Sequence, residues 1–128
     1  MTFLPPGDLE YLERSGWKFE EMQEQNLRAV IIFAYPLPPG KFDVDSTDIL
    51  IQVPVGYPDT QLDMFWCSPI LKLRPDGHLA NQTQVNGNYF SRTWQRWSRH
   101  YKQGQWKPGL SDFSWHMNVV ETALLEAK

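Results

Sequence analysis

Three strongly apolar segments, each followed by residues that favour turns, limit most sharply what this chain can fold into. Residues 27–35 (LRAVIIFAY), 48–55 (DILIQVPV) and 64–73 (MFWCSPILKL) are rich in the β-branched and aromatic residues that strands favour. Proline and glycine in residues 36–40 and 56–59 predict turns between these segments. Short apolar runs joined by turns predict neighbouring antiparallel strands.

Two more elements are predicted upstream of these segments. Trp17 and Phe19 alternate with charged residues, which indicates a strand running toward Gln25. Asp8 is a suitable cap for a short helix over residues 8–14. The sequence therefore predicts a four-stranded antiparallel meander preceded by a short N-terminal helix.

The last part of the chain has the period of an amphipathic helix. Apolar residues recur there at spacings of 3, 4, 3 and 4 residues: Leu110, Phe113, Met117, Val120 and Leu124. We expect a long helix over residues 111–127, capped by Ser111 or Asp112 and crossing the sheet. Because strands and helices fall in separate blocks, the fold class is α+β.

A polar stretch separates the predicted sheet from the C-terminal helix. Residues 77–91 (GHLANQTQVNGNYFS) contain two glycines and three asparagines, which predicts a long loop, and long loops are often functional. Residues 94–101 could be helical or irregular. We therefore expect one domain over residues 1–128, with a loop or insertion at about 77–97.

Charge and composition exclude several classes of protein. A formal net charge of −3 argues against a general nucleic-acid binder. The best apolar run, residues 29–35, is seven residues long and so too short to span a bilayer. The N-terminus lacks the basic segment and apolar core of a secretory signal. The single cysteine cannot form an internal disulfide, so we expect a cytoplasmic protein.

The charge is nevertheless uneven along the chain. Residues 1–66 hold eleven acids and four bases, whereas residues 67–128 hold four acids and eight bases. Five of these bases lie in residues 92–107, interleaved with tryptophans. This run could bind single-stranded nucleic acid, but a basic face that meets an acidic protein fits at least as well.

Two candidate nucleophiles stand out. Cys67 lies inside an apolar strand, where a free cysteine usually acts as a small buried hydrophobe. Ser98 and His100 would lie on one face of an extended segment, whereas a helix would point them about 200° apart. The three histidines have no short spacing typical of zinc ligands, so no metal site is expected.

Several motifs together resemble the ubiquitin-conjugating enzyme fold, and most closely the bacterial family E of ubiquitin-conjugating-enzyme-like proteins. The proline-rich turn at 36–40 and Tyr57-Pro58 match the middle of that fold. Arg74-Pro75-Asp76 stands where the family has His-Pro-Asn. Residues 105–108 (QWKP) match the turn before the crossing helix. The resemblance covers roughly residues 8–127.

The resemblance implies a nucleophile and its helpers. In the superfamily the catalytic cysteine precedes the tryptophan of that turn by eight residues, and counting back from Trp106 reaches Ser98. Ser98 would then carry an oxyester, with His100 taking its proton and Arg99 offsetting charge on the intermediate. Trp106, Asp76 and Trp97 are the supporting residues that the resemblance implies.

Two departures from the family pattern bear on this site. An ionised Asp76 cannot donate the hydrogen bond of the family asparagine, so that role would pass to Asn81, Asn86, Asn88, a backbone N–H or Arg99. The 21 residues at 77–97 form an insertion relative to most of the superfamily.

The resemblance implies a conjugating enzyme. It would accept a modifier's C-terminal acyl group from an activating enzyme and pass it to an acceptor, with no cofactor of its own. The implied partners are an activating enzyme, a ubiquitin-like modifier and a JAB-type metallopeptidase, in a bacterial pathway for which antiviral defence is one role. The main alternative is an inactive scaffold that binds the activating enzyme or modifier. Further alternatives are a thiol enzyme using Cys67 and a single-stranded nucleic-acid binder.

Overall fold

The computed structural model describes residues 2–128 and contains two helices and six strands. In chain order they are α1 (Pro6–Arg14), β1 (Lys18–Glu24), β2 (Leu27–Pro36), β3 (Ser46–Gln52), β4 (Phe65–Ser68), β5 (Asn86–Tyr89), β6 (Arg92–Trp97) and α2 (Phe113–Glu126). The mixed architecture agrees with the α+β prediction. Neither helix in this described part of the chain is long and apolar enough to cross a membrane.

The sheet has six antiparallel strands in the order β1-β2-β3-β4-β6-β5, so the prediction of four strands was wrong. The two extra strands lie in the segment predicted as a loop or insertion at 77–97. Their connection is Phe90-Ser91, in which both residues have positive φ. A two-residue hairpin of this kind usually carries Asn-Gly, so the turn has no standard sequence signal.

The inner face of the sheet forms the main core with the two helices. Alternate residues of β2 and β3 are buried there, among them Val30, Ile32 and Ile49. The predicted stripe of α2 joins the same cluster through Phe113, Met117, Val120 and Leu124. Leu110, the fifth member of the predicted stripe, is 76% exposed because it precedes the helix.

The outer face carries a smaller apolar cluster without a helix above it. Its buried residues are Ala29, Ile31, Leu50, Trp66 and Trp94, with partly buried neighbours that include Tyr89 and Phe90 of the β5–β6 hairpin. The ring of Tyr89 meets Trp66 edge to face at 5.0 Å between centroids. The hairpin therefore both extends the sheet and shields its outer face.

Asp8 does not cap α1, the helix that contains it, but links α1 to α2. Helix α1 begins at Pro6, and no side chain caps its N-terminus. The buried Asp8 carboxylate instead accepts hydrogen bonds from the Phe113 amide (3.2 Å) and from the hydroxyl of Tyr57. Burial raises the pKa of Asp8. Asp112 caps α2, as one of the two predicted candidates, by accepting from the Trp115 amide at 3.0 Å.

Strand β4 ends at Ser68, five residues before the predicted end. Beyond Ser68, the side chain of Gln95 takes the place of a neighbouring strand as hydrogen-bond partner of the backbone. The fully buried Gln95 of β6 accepts from the Leu71 amide (2.9 Å) and donates to the Leu71 carbonyl (3.2 Å). Its carbonyl oxygen also accepts from the indole of Trp97 at 3.0 Å. The backbone N–H and C=O of Leu71 therefore form their hydrogen bonds with the side-chain amide of Gln95 and not with a neighbouring strand.

Candidate active site

Ser98 lies directly after β6, an internal strand that pairs with β4 on one side and β5 on the other. The Ser98 amide donates to the Gln82 carbonyl at 3.1 Å, which places the serine beside the 77–91 segment. The next residue, Arg99, accepts from the Met64 amide at 3.1 Å. The serine backbone is thus fixed on both sides by segments that lead into or flank the sheet.

The structure brings Ser98, His100 and Asp63 together in one hydrogen-bonded line. The Oγ of Ser98 lies 2.8 Å from Nε2 of His100. On the other side of the ring, Nδ1 of His100 lies 3.0 and 3.3 Å from the two carboxylate oxygens of Asp63. A carboxylate at Nδ1 favours a proton on that nitrogen, which leaves Nε2 as the acceptor for the serine hydroxyl. This is the order of groups in a serine–histidine–aspartate triad.

The triad is open to solvent. The side chains of His100 and Asp63 are 57% and 40% exposed, and Ser98 is half-buried. An open site can accept the end of another protein chain without moving a lid.

Asp63 is the residue that sequence reasoning missed. It lies 37 positions from His100 in the chain and only becomes its neighbour because β4 pairs with β6. The two residues before β4, Asp63 and Met64, and the residues after β6 therefore meet at the same end of the sheet. A correct strand order was the signal that could have found it.

Arg99 lies against the serine backbone. Its guanidinium donates to the Ser98 carbonyl at 3.1 Å and lies 5.1 Å from the centre of the Trp97 ring. Partial burial lowers the pKa of Arg99 from its ordinary value. Trp97 itself is fully buried and stacks on Phe65. The Trp97 ring thus packs against the Arg99 guanidinium, and Trp97 directly precedes Ser98 in the chain.

A buried histidine of α2 holds the two segments that carry the triad. Nε2 of His116 donates to the Met64 carbonyl at 2.8 Å, and its Nδ1 accepts from the Tyr101 hydroxyl at 2.7 Å. Met64 follows Asp63 in the chain, and Tyr101 follows His100. Burial raises the pKa of Tyr101, so its hydroxyl stays a donor. Burial also lowers the pKa of His116 to about 4, so its ring is neutral at pH 7.

The neutral His116 predicts a loss of stability in acid. Above pH 6.5, the ordinary histidine pKa, the His116 ring is neutral in both the folded and the unfolded protein. Below pH 6.5 the unfolded protein binds a proton at this ring, whereas the folded protein binds it only near pH 4. Between pH 7 and pH 4.5 we expect the wild type to lose about 2–3 kcal/mol more unfolding free energy than His116→Gln. Urea denaturation at both pH values measures this. Equal losses in the two proteins would contradict it.

Asp76 and Trp106 form no described hydrogen bond with Ser98, His100 or Asp63. Asp76 is exposed and bonds to the ring of His78 at 2.5 Å, and that hydrogen bond lowers the pKa of Asp76. Its described hydrogen bonds include none to Ser98 or His100. Trp106 is buried and donates from its indole to the Pro58 carbonyl at 3.0 Å. The turn before α2 is therefore tied to the Tyr57-Pro58 turn.

Cys67 lies on the inner face of β4, fully buried in the main core. Burial raises the pKa of its thiol well above the ordinary value. A thiol that is both covered and un-ionised is a poor nucleophile. The geometry therefore disfavours Cys67 as the site of covalent chemistry.

The tryptophans of the basic run do not form a base-stacking surface. Trp94 and Trp97 are fully buried and Trp106 is nearly so. Arg92 lies 4.5 Å from the centre of the Trp94 ring and forms a 2.9 Å ion pair with Asp48. Within residues 2–128, no three histidine, cysteine, aspartate or glutamate side chains lie close enough to hold a metal ion.

A groove with a volume of about 650 Å³ opens beside His100. Its walls are the segment 99–105 on one side and the solvent-facing side of α2 on the other, including Trp115 and Asn118. Asn81 lies in the same groove, so it is the one candidate among the three asparagines that lines a surface with Arg99 and His100.

The family of the chain follows from a comparison with known protein families. The model for prokaryotic E2 family E matches residues 4–127, which is nearly the whole chain. No curated protein and no solved structure gives a match. The chain therefore belongs to prokaryotic E2 family E, the ubiquitin-conjugating-like group that the sequence motifs resemble.

Proposed function

We propose that this protein is a conjugating enzyme that carries a ubiquitin-like modifier as an oxyester on Ser98. Membership of an E2 family supports a role in conjugation, between an activating enzyme and a modifier. The observation that carries the choice of Ser98 is the 2.8 Å contact between its Oγ and Nε2 of His100, with Asp63 on the far side of the ring.

The triad addresses the weakness of serine as a nucleophile. An alcohol ionises far less readily than a thiol, so a serine needs a base within hydrogen-bond reach to attack an acyl group. In the proposed mechanism His100 takes the proton from Ser98 as its Oγ attacks the carbonyl carbon of the modifier's activated C-terminus. Asp63 is the orienting group, which holds the ring and stabilises its protonated form.

Charge on the tetrahedral intermediate needs a donor other than Asp76. The lowered pKa of Asp76 keeps its carboxylate ionised, so it cannot supply the hydrogen bond of the family asparagine. Arg99 lies beside Ser98, and Asn81 lies across the same groove as His100. We propose that these two side chains offset the oxyanion.

The rest of the pathway is part of the same proposal. The activating enzyme would spend ATP, so the protein itself would need no cofactor. A JAB-type metallopeptidase would act in the same bacterial pathway. That pathway would operate in the cytoplasm and serve antiviral defence.

The test is a reconstitution with an activating enzyme, a ubiquitin-like modifier and ATP. We expect a covalent adduct that survives a thiol reductant and is cleaved by hydroxylamine, because an oxyester reacts with hydroxylamine but not readily with thiols. Peptide mapping should place the acyl group on Ser98. An adduct that the reductant removes would point to Cys67, and the absence of any adduct would contradict the proposal.

One observation favours the inactive scaffold as the second candidate. Arg74 and the ionised Asp76 replace the histidine and asparagine of the family motif, and Asp76 lies with His78 and not with the triad. A scaffold would bind the activating enzyme or the modifier in the same reconstitution without forming an adduct. Co-elution without covalent transfer would favour it.

A further inference from the structure

The line of groups at Ser98 resembles the machinery of serine hydrolases more than that of a thiol-based carrier. His100 contacts the serine on one side and the Asp63 carboxylate on the other, and all three are reached by solvent. A base that accepts the serine proton during acylation is in position to accept a proton from water afterwards, because the two steps mirror each other. A carrier built this way should lose its acyl group to water.

We propose that the protein is also an esterase, which hydrolyses short acyl esters through Ser98. The inference rests on the proposed function only in using the same serine, and it needs neither an activating enzyme nor a modifier. When no amine acceptor is present, water takes the acyl group from Ser98 and releases it as a carboxylic acid.

The first step is acylation. The serine Oγ forms a bond to the ester carbonyl carbon while its proton moves to Nε2 of His100. The bond from that carbon to the alcohol oxygen then breaks, and the departing alkoxide takes the proton from His100. The products are an acyl-Ser98 ester and a free alcohol.

The second step is deacylation. A water oxygen forms a bond to the acyl carbon while His100 takes one of the water protons. The bond between that carbon and Oγ breaks, and the serine oxygen recovers the proton from His100. The sum is ester plus water giving acid plus alcohol, with no oxidant or reductant.

The groove beside His100 has room for a small activated ester. The groove of about 650 Å³ begins at His100 and is large enough for a short acyl chain and an aromatic alcohol. Arg99 and Asn81 line the groove together with His100, and their side chains carry hydrogen-bond donors.

A second histidine–aspartate pair provides a matched control. His78 bonds to Asp76 through Nδ1, as His100 does to Asp63, and its ring is similarly exposed, but none of its described hydrogen bonds is to a serine hydroxyl. Free histidines hydrolyse activated esters slowly without a serine. Comparing the two histidines therefore separates triad chemistry from that background.

The experiment measures hydrolysis of p-nitrophenyl acetate by the full chain. We expect Ser98→Ala, His100→Ala and Asp63→Asn each to lower the rate at least about tenfold, and His78→Ala to leave it within about twofold. Thermal unfolding of each variant checks that it is folded. An unchanged rate in folded Ser98→Ala, or an equal fall in His78→Ala and His100→Ala, would overturn the inference.

A second measurement does not depend on turnover. A fluorophosphonate probe should add once to the wild type, on the peptide that contains Ser98, and more slowly to Asp63→Asn. Labelling elsewhere, or none, would overturn the esterase inference even if a modifier adduct forms. Ester hydrolysis and labelling without a modifier adduct would instead overturn the proposed conjugating function and leave this inference intact.

Discussion

Replacing Ser98 with alanine should abolish the covalent adduct with the modifier while leaving the fold intact. The change removes one half-buried hydroxyl whose side-chain partner, His100, is exposed, so the cost in stability should be small. Without Oγ the acyl group has no oxygen to join, even though His100 and Asp63 remain. The measurement is the intact mass of the protein after reaction with the activating enzyme, the modifier and ATP, alongside thermal unfolding.

Three further variants sharpen this result. Ser98→Cys should form an adduct that a thiol reductant now cleaves, because the ester becomes a thioester. His100→Ala should slow adduct formation by roughly 10²–10⁴-fold if the histidine is the general base. Cys67→Ala is the matched control, and it should keep the adduct with a modest loss of stability. An adduct that persists unchanged in Ser98→Ala would contradict the assignment.

Replacing Val120 with aspartate should destabilise the protein by roughly 3–5 kcal/mol. Val120 is fully buried on the inner side of α2, in the same cluster as Ile32 and Ile49 of the sheet. A carboxylate there would lose its hydration without gaining a partner, so it would either stay charged at high cost or take up a proton. Urea denaturation at pH 7 measures the loss.

The matched control places the same carboxylate two residues further along the helix. Thr122 is exposed, so Thr122→Asp should change the free energy of unfolding by no more than about 1 kcal/mol. Similar losses in the two variants would mean that α2 does not pack on the sheet as described.

The sequence predicted best the elements whose pattern reports burial directly. The apolar segments at 27–35 and 48–55 became β2 and β3 within a few residues, because strands covered on both faces need continuous apolar side chains. The stripe from Phe113 to Leu124 became the buried side of α2 for the same reason. These elements could be predicted because the burial of each side chain determines where apolar residues recur in the sequence.

The hairpin of β5 and β6 could not be predicted in this way. Strand β5 reads Asn-Gly-Asn-Tyr and lies at the edge of the sheet, where one side is open to water and polar residues carry no cost. Strand β6 carries its two tryptophans three residues apart and on opposite faces, Trp94 outward and Trp97 inward, so the sequence lacks the period-two apolar pattern of a half-buried strand. Its pairing with β4 depends on the tertiary structure, since 28 to 32 positions separate the paired residues in the chain.

The residues of the candidate site also fall into two groups, those that a local sequence pattern predicts and those that only the tertiary structure brings together. The Ser98–His100 contact followed from two residues of spacing once the segment was extended. Asp63 and His116 could not be found, because each reaches the site through strand pairing or helix packing over long separations. Local spacing predicts local contacts, whereas the orienting and clamping residues depend on the finished fold.

The placement of Ser98 at the end of an internal strand has a consequence for the reaction proposed above. Because β6 is paired on both sides, the serine backbone has little freedom to shift between the free and acylated states. A side chain held by a sheet is positioned more precisely than one on a loop. Little reorganisation energy then opposes each transfer, which matters most for a nucleophile as sluggish as an alcohol. Edge strand β5, through its pairing with β6, would therefore contribute to the preorganisation of the proposed reaction although it lies outside the triad.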